Sequence, residues 1–274
     1  MARYISVSRR TDIPRFFYKE FFEAWKQGKI TYDGGHGRSY TISLKQDDVV
    51  GYIFWSKDYS CFINHPEFHS LITHNNALFH YTLNNDTILE PHVATLKTRL
   101  QTMQKLCDLV GEQRVLWRYD PLCKYKNDNG ETVTNLDGFF KILPLVEKAG
   151  ISRCYFSFMT LYRALKKQSI AFEEFYDHEK FSITQALARA CIDAGITLYN
   201  CCNPETWGMN AGVLQAHCID DGILRETDRF GIHETLKPKP TRTNCGCYES
   251  RDIGSYLQKC HHRCRYCYAG HQSF

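Results

Sequence analysis

Hydrophobic and polar positions alternate along this chain with two different periods. Short apolar runs recur at Tyr4–Ser8, Gly51–Ser56, Ala77–Leu83, Arg114–Tyr119, Arg153–Phe158 and Thr197–Cys202, and each reads as a strand. Between them lie longer stretches of helical spacing. Phe16, Phe17, Phe21, Phe22 and Trp25 follow Pro14, which suits a first helical turn, and Thr95–Val110 and Ser182–Ala194 are similarly amphipathic. Gly150 and Gly195 each stand where a helix should stop before a strand. Strands that alternate with helices predict the α/β class, built from repeated βα units around a parallel sheet. Six units are too few for a closed eight-stranded barrel. Residues 29–44 read as a hairpin insertion. Pro238 and Pro240 make the segment 236–241 a linker, which divides the chain into an α/β unit over 1–235 and a linker with a cysteine-rich tail over 236–274.

Within each strand the period of two separates an apolar face from a polar one. Val115, Trp117 and Tyr119 share one face, while Leu116, Arg118 and Asp120 share the other. His80, Thr82 and Asn84 are in phase with one another, as are Ser6, Ser8 and Arg10, and Ser157 and Asn200 join the same set. Such groups are expected to line a polar pocket at the C-terminal ends of the strands, where α/β barrels build their sites.

Composition narrows the function classes. The 274 residues are 43% hydrophobic and 14% aromatic, enough for one large core. No apolar stretch approaches ~18 residues and no cleavable leader is recognisable, so a cytoplasmic protein without membrane contact is expected. A formal net charge of +4 neither requires nor excludes a nucleic-acid partner, which is admitted but not indicated. No glycine-rich phosphate loop joins a strand to a helix, which argues against ATP or NAD chemistry.

The strongest chemical signal is Cys260-His261-His262-Arg263-Cys264-Arg265-Tyr266-Cys267, a CxxxCxxC run. The chain has thirteen cysteines, an odd number, and in a reducing compartment metal ligation and buried thiols explain them better than disulfides. Three local thiolates on a four-iron cubane leave one iron without a protein ligand. Cys245 and Cys247 open further readings: a fourth ligand, a second metal, or a brace for the loop; four of the five thiolates would also suit structural Zn²⁺. Lys259, His261, His262, Arg263 and Arg265 surround the thiols with charge that favours thiolates, or form a solvated basic patch. Adjacent Cys201 and Cys202 at a strand end read as small hydrophobes.

The cysteine run, with an aromatic Tyr266 before its last member, resembles the cluster loop of radical SAM enzymes. The extension Tyr266-Cys267-Tyr268-Ala269 is most similar to spore photoproduct lyase. Over nearly its full length, through Ser8-Arg9-Arg10-Thr11-Asp12-Ile13-Pro14, Phe54-Trp55-Ser56-Lys57 and Trp117-Arg118-Tyr119-Asp120-Pro121, the chain resembles the bacterial family called domain of unknown function 1848. The resemblance implies a partial TIM-like (β/α)6 barrel, a [4Fe-4S] cluster on Cys260, Cys264 and Cys267, S-adenosylmethionine (SAM) on the open iron, and a reductant such as flavodoxin or ferredoxin. In radical SAM enzymes the loop follows the first strand; here it lies near the C-terminus, and their Gly-Gly-Glu stretch is not recognisable. A tail laid across the mouth of the sheet would restore the geometry by a permuted route. Arg10, Asp12, Arg118 and Asp120 are the expected catalytic or positioning residues. Asp12 has a second reading as a helix cap, Arg118 and Asp120 as a structural ion pair, and Lys57 as an ionic anchor or a surface lysine. The competing classes are a barrel hydrolase or nuclease with a Zn-cysteine tail, and a non-catalytic metal-binding module.

Overall fold

A computed structural model describes residues 3–33, 38–161, 165, 170–204, 211–255, 257–267 and 269; Tyr268 of the cysteine run's extension lies outside them. From the N-terminus, β1 (Arg3–Val7) leads through α1 (Ile13–Phe16) and α2 (Tyr18–Lys26) to the hairpin of β2 (Lys29–Asp33) and β3 (Ser39–Ser43). Next come β4 (Val49–Ser56), α3 (Ser60–Ile63), α4 (Phe68–His74), β5 (Asn76–Thr82), α5 (Leu96–Val110) and β6 (Val115–Leu122). A small antiparallel sheet of β7 (Lys124–Lys126), β8 (Thr132–Thr134) and β10 (Phe172–Glu173) flanks α6 (Leu136–Lys148) and β9 (Arg153–Phe158). The chain continues through α7 (Asp177–Asp193), β11 (Thr197–Asn200), β12 (Leu214–Gln215) and α8 (Asp221–Glu226) to β13 (Arg251–Ile253).

The main sheet has eight strands in the order β12-β11-β9-β6-β5-β4-β1-β13, and every pairing in it is parallel. All six strands read from the apolar runs are present, and β1, β4, β5, β6, β9 and β11 lie side by side in chain order, as successive βα crossovers of one hand require. The sheet is open. Its edges, β12 and β13, do not pair with each other, so the α/β class with a large parallel sheet is the architecture, and a TIM-like barrel is not seen. None of the described helices is long and apolar enough to cross a membrane.

Both faces of the sheet are covered, as parallel sheets demand. On one face Ile5, Phe54, Phe79, Tyr81, Trp117, Tyr119 and Phe156 pack against Phe21 and Phe22 of α2, Met103 and Leu106 of α5, Phe139 of α6 and Leu187 of α7. Trp117 stacks on Phe139 at 5.0 Å, and each fully buried side chain of this size contributes about 1.5–3 kcal/mol. On the other face Tyr4, Ile53, Leu78, Leu116 and Tyr155 pack against Ile219, Ile223, Leu224 and Cys247. Thr95 caps α5 by accepting from the Thr98 amide. Gly150 (φ 77°) and Gly195 (φ 66°) adopt the left-handed turn that ends α6 and α7 before the next strand.

The cysteine tail joins the same sheet. Arg251, Asp252 and Ile253 pair with Ile5, Ser6 and Val7. Because this pairing is parallel, the chain leaves β13 at the end where β1 also finishes, and the residues after it emerge above the C-terminal ends of the strands.

Candidate functional site

A cavity of about 360 Å³ opens at those C-terminal ends. Ser8 after β1, Ser56 and Lys57 at the end of β4, Thr82 of β5, Arg118 and Asp120 of β6, and Ser157 of β9 form its floor and walls. Cys260, Cys264, Cys267, His262 and Tyr266 of the tail complete it. Seven of the residues singled out from sequence therefore meet: Arg10, Asp12, Arg118, Asp120, Cys260, Cys264 and Cys267 all line this one space.

Two buried carboxylates hold the cysteine loop over the cavity. Asp12 accepts from the Arg15 amide (3.0 Å) as the cap of α1, from Ser56 Oγ (2.7 Å) and from the Lys57 amide (3.0 Å). His262 Nε2 lies 3.0 Å from its second oxygen. Asp12 is thus both a helix cap and the anchor of the loop. Glu90, the other carboxylate, accepts from Lys57 Nζ (2.7 Å), Asn84 Nδ2 (3.0 Å) and the Tyr266 hydroxyl, with Arg99 Nη1 at 3.6 Å. Burial pushes the Glu90 carboxyl up, but Lys57 and Arg99 outweigh it and hold the group below its ordinary value. Burial likewise pulls Lys57 down, and Glu90 more than restores its charge.

Arg118 and Asp120 form the polar centre of the opposite wall. Arg118 donates to Asp120 Oδ2 from Nε (3.1 Å) and Nη2 (2.5 Å), and its guanidinium lies between the rings of Trp55 and Tyr155, 5.5 and 5.6 Å from their centroids. Ser157 Oγ donates to Asp120 Oδ1 at 2.5 Å. Burial pushes the Asp120 carboxyl up, yet Arg118 and Ser157 together hold it below the usual range. A carboxylate so held is a weak base, suited to accepting hydrogen bonds rather than protons. Arg10 is turned toward the tail: Nη1 donates to the Gly254 carbonyl (2.8 Å), Nε lies 3.5 Å from Asp252, and the guanidinium stands 5.8 Å from the Tyr32 ring centroid.

All thirteen cysteines are free thiols. Burial pushes Cys260 up to about 12 and raises Cys264 and Cys267 as well, so these thiols are protonated when nothing is bound to them. Among the described residues no three His, Cys, Asp or Glu side chains converge as ligands of a single metal ion. An iron-sulfur cubane makes a different demand, because each thiolate binds a separate iron and the donors must face one space rather than one point. Cys260, Cys264 and Cys267 line one cavity, and beside them His262 Nδ1 is buried without a partner among the described residues. Cys245 and Cys247 are not among the cavity's lining residues. They pack beneath the sheet's second face with Cys201, Cys202 and Cys218.

Sequence reasoning missed Glu90, His262 as an anchor, and Cys218. Glu90 lies outside any helix or strand, and no periodicity marks it. Asn84 was in phase with the polar face, and its amide joins Glu90 and the Asp120 carbonyl (3.2 Å).

The family described as domain of unknown function DUF1848 matches residues 4–269. No curated protein matches the sequence. Among solved structures, Streptococcus suis SuiB is 9% identical, with a TM-score of 0.33 over 84% of this chain and 46% of its own, so the chain spans less than half its length. A putative alpha-L-fucosidase from Bacteroides thetaiotaomicron is 9% identical, with a TM-score of 0.32 over 85% of this chain and 83% of its own. Likeness this slight carries no argument about fold or activity.

Proposed function

This chain belongs to the DUF1848 family, and for it we propose an iron-sulfur enzyme of radical-SAM-like type in which Cys260, Cys264 and Cys267 hold a [4Fe-4S] cluster. The observation that carries this reading is that three free thiols of one loop line the same cavity as the C-terminal ends of the parallel strands. On the same reading, the open sheet acts as a partial (β/α)6 barrel with its mouth covered by the tail. The bound cluster would supply one-electron reduction of SAM held on an iron that lacks a protein ligand.

The chain's own residues provide holding and exclusion. Asp12 through His262, and Glu90 through Tyr266, fix the loop at two points on either side of Cys264. The Lys57 ammonium, beside Glu90 and next to the Tyr266 ring (5.4 Å), places a positive charge near the thiols. Arg118 offers its guanidinium, and Asp120 its ionised carboxylate, to a polar substrate. Trp55 and Phe158 give the cavity apolar wall. An electron donor of the flavodoxin or ferredoxin kind is required; nucleic acid is not indicated as substrate.

The test is anaerobic reconstitution with iron and sulfide, reduction with dithionite, and chromatography of the products formed from SAM. The expected result is 5′-deoxyadenosine from the wild type and none from Cys264→Ala. A brown, iron-loaded protein that forms no 5′-deoxyadenosine would remove the SAM assignment, and stoichiometric zinc in place of iron would remove the cluster.

A further inference from the structure

Beside the candidate site runs a second row of sulfur atoms that the proposed cluster does not use. Cys201 follows β11, and Cys218 lies three residues past β12, its parallel neighbour. Their Sγ atoms are 3.3 Å apart, and Cys202 Sγ is 3.8 Å from that of Cys201. Two guanidinium groups are directed at this row. Arg118 Nη1 donates to Cys218 Sγ at 3.3 Å, with Nη2 4.0 Å from Cys201 Sγ, and Arg242 Nε donates to Cys202 Sγ at 2.8 Å. Cys218 is half-buried and faces the cavity, whereas Cys201 is buried behind it.

Two inert hydrophobes would need neither cation. A thiol that touches a guanidinium, is open to a cavity and stands against a second, shielded thiol has the arrangement of an attacking and a resolving cysteine. A single metal ion is another use for grouped thiols, but it needs three or more donors around one point, and the described residues present none.

We propose that Cys218 and Cys201 form a redox-active dithiol in the cavity wall, oxidised by small-molecule disulfides of the glutathione class. The Cys218 thiolate, having given its proton to solvent, attacks one sulfur of the disulfide RSSR. This forms Cys218–S–S–R and expels RS⁻. Cys201 gives its proton to that RS⁻ and attacks the Cys218 sulfur, closing the Cys201–Cys218 bond and releasing a second RS⁻, which takes a proton from solvent. Two protein thiols are oxidised, and RSSR is reduced to two RSH. The site of this exchange is the sulfur side of Arg118, whose other side holds Asp120, so the redox state of the pair is felt where substrate would bind.

Oxidised glutathione is the probe, applied anaerobically to the full chain, followed by alkylation of the remaining thiols and peptide mass mapping. The wild type and Cys202→Ser should yield a linked Cys201–Cys218 peptide pair lighter by two hydrogens. Cys201→Ser, which lacks the resolving thiol, should instead retain glutathione on Cys218, and its alkylation there should fall by about tenfold or more. Cys218 left freely alkylatable, a link from Cys218 to Cys247, or an equivalent of zinc lost only in Cys218→Ser would each overturn the proposal. The linked peptide depends on neither iron nor SAM, so failure here is distinct from failure of the cluster assignment.

Discussion

Glu90 shows how much of this site rests on single charges. Its carboxylate is buried with two cations, Lys57 Nζ at 2.7 Å and Arg99 Nη1 at 3.6 Å, and takes the Tyr266 hydroxyl as well. A buried ion network is weak evidence of net stability, but removing one partner leaves the others uncompensated in low dielectric. Glu90→Gln should therefore destabilise the protein by about 3–5 kcal/mol. Much of that loss should return when Lys57→Met is added, because the stranded ammonium is then removed. Urea unfolding of the two single variants and the double variant measures this coupling; simple additivity of the two losses would show that the pair is not energetically linked. Asp12 does not behave as a free catalytic carboxylate. Arg15, Ser56, Lys57 and His262 all lie on its two oxygens, which cap α1 and anchor the cysteine loop.

At the level of elements, what was legible in the sequence was whatever repeats locally. The six apolar runs became strands because period-two alternation is a property of each run alone, and the polar face containing His80, Arg118 and Ser157 lies on the side of the sheet opposite the helix-packed core. β13 was not legible. Arg251, Asp252 and Ile253 are too few to show a period, and their strand conformation depends on a partner some 246 residues away, where Ser6 Oγ donates to Asp252 (2.7 Å). Long-range pairing also hid the contact of Cys218 with Cys201 and the place of Cys247. The junction just after β13 offers a direct test. Gly254 has φ +102°, and a Cβ there would sit 2.9 Å from Ser8 Oγ and 3.0 Å from Ser8 Cβ. Gly254→Ala should cost about 1–3 kcal/mol. The loss should fall mainly on the tail's docking, so limited proteolysis should cut beyond residue 254 sooner than in the wild type while the rest of the sheet persists. Equal acceleration at all sites would mean that the junction and the sheet unfold as one unit.

Across the whole molecule, the mouth of the sheet concentrates carboxylates that need their charge. Glu90 and Asp120 both titrate below their ordinary values, each because a cation outweighs the effect of burial, and Asp228 at the far end of β5 does so because the His233 and Phe230 amides and the Asn76 side chain outweigh it. A carboxyl whose folded value lies below its unfolded one binds fewer protons in the native state. It therefore contributes stability that is complete above the unfolded value, about 4, and is lost as pH falls through the folded one. Three such groups act together with His80, whose imidazole burial and Arg118 hold down to about 3, so the melting temperature should begin to fall below about pH 6.5, where the unfolded imidazole takes its proton, and fall more steeply below about 4. The steepness belongs to specific groups, so it can be reassigned by mutation. Asp228→Asn removes one titrating group at the end of the strands away from the cavity, and Tm plotted against pH should fall less steeply below pH 4 than in the wild type, although the variant starts lower at pH 7. Parallel curves for the two proteins would mean that Asp228 has the same proton affinity folded and unfolded, and that the acid sensitivity arises at other groups.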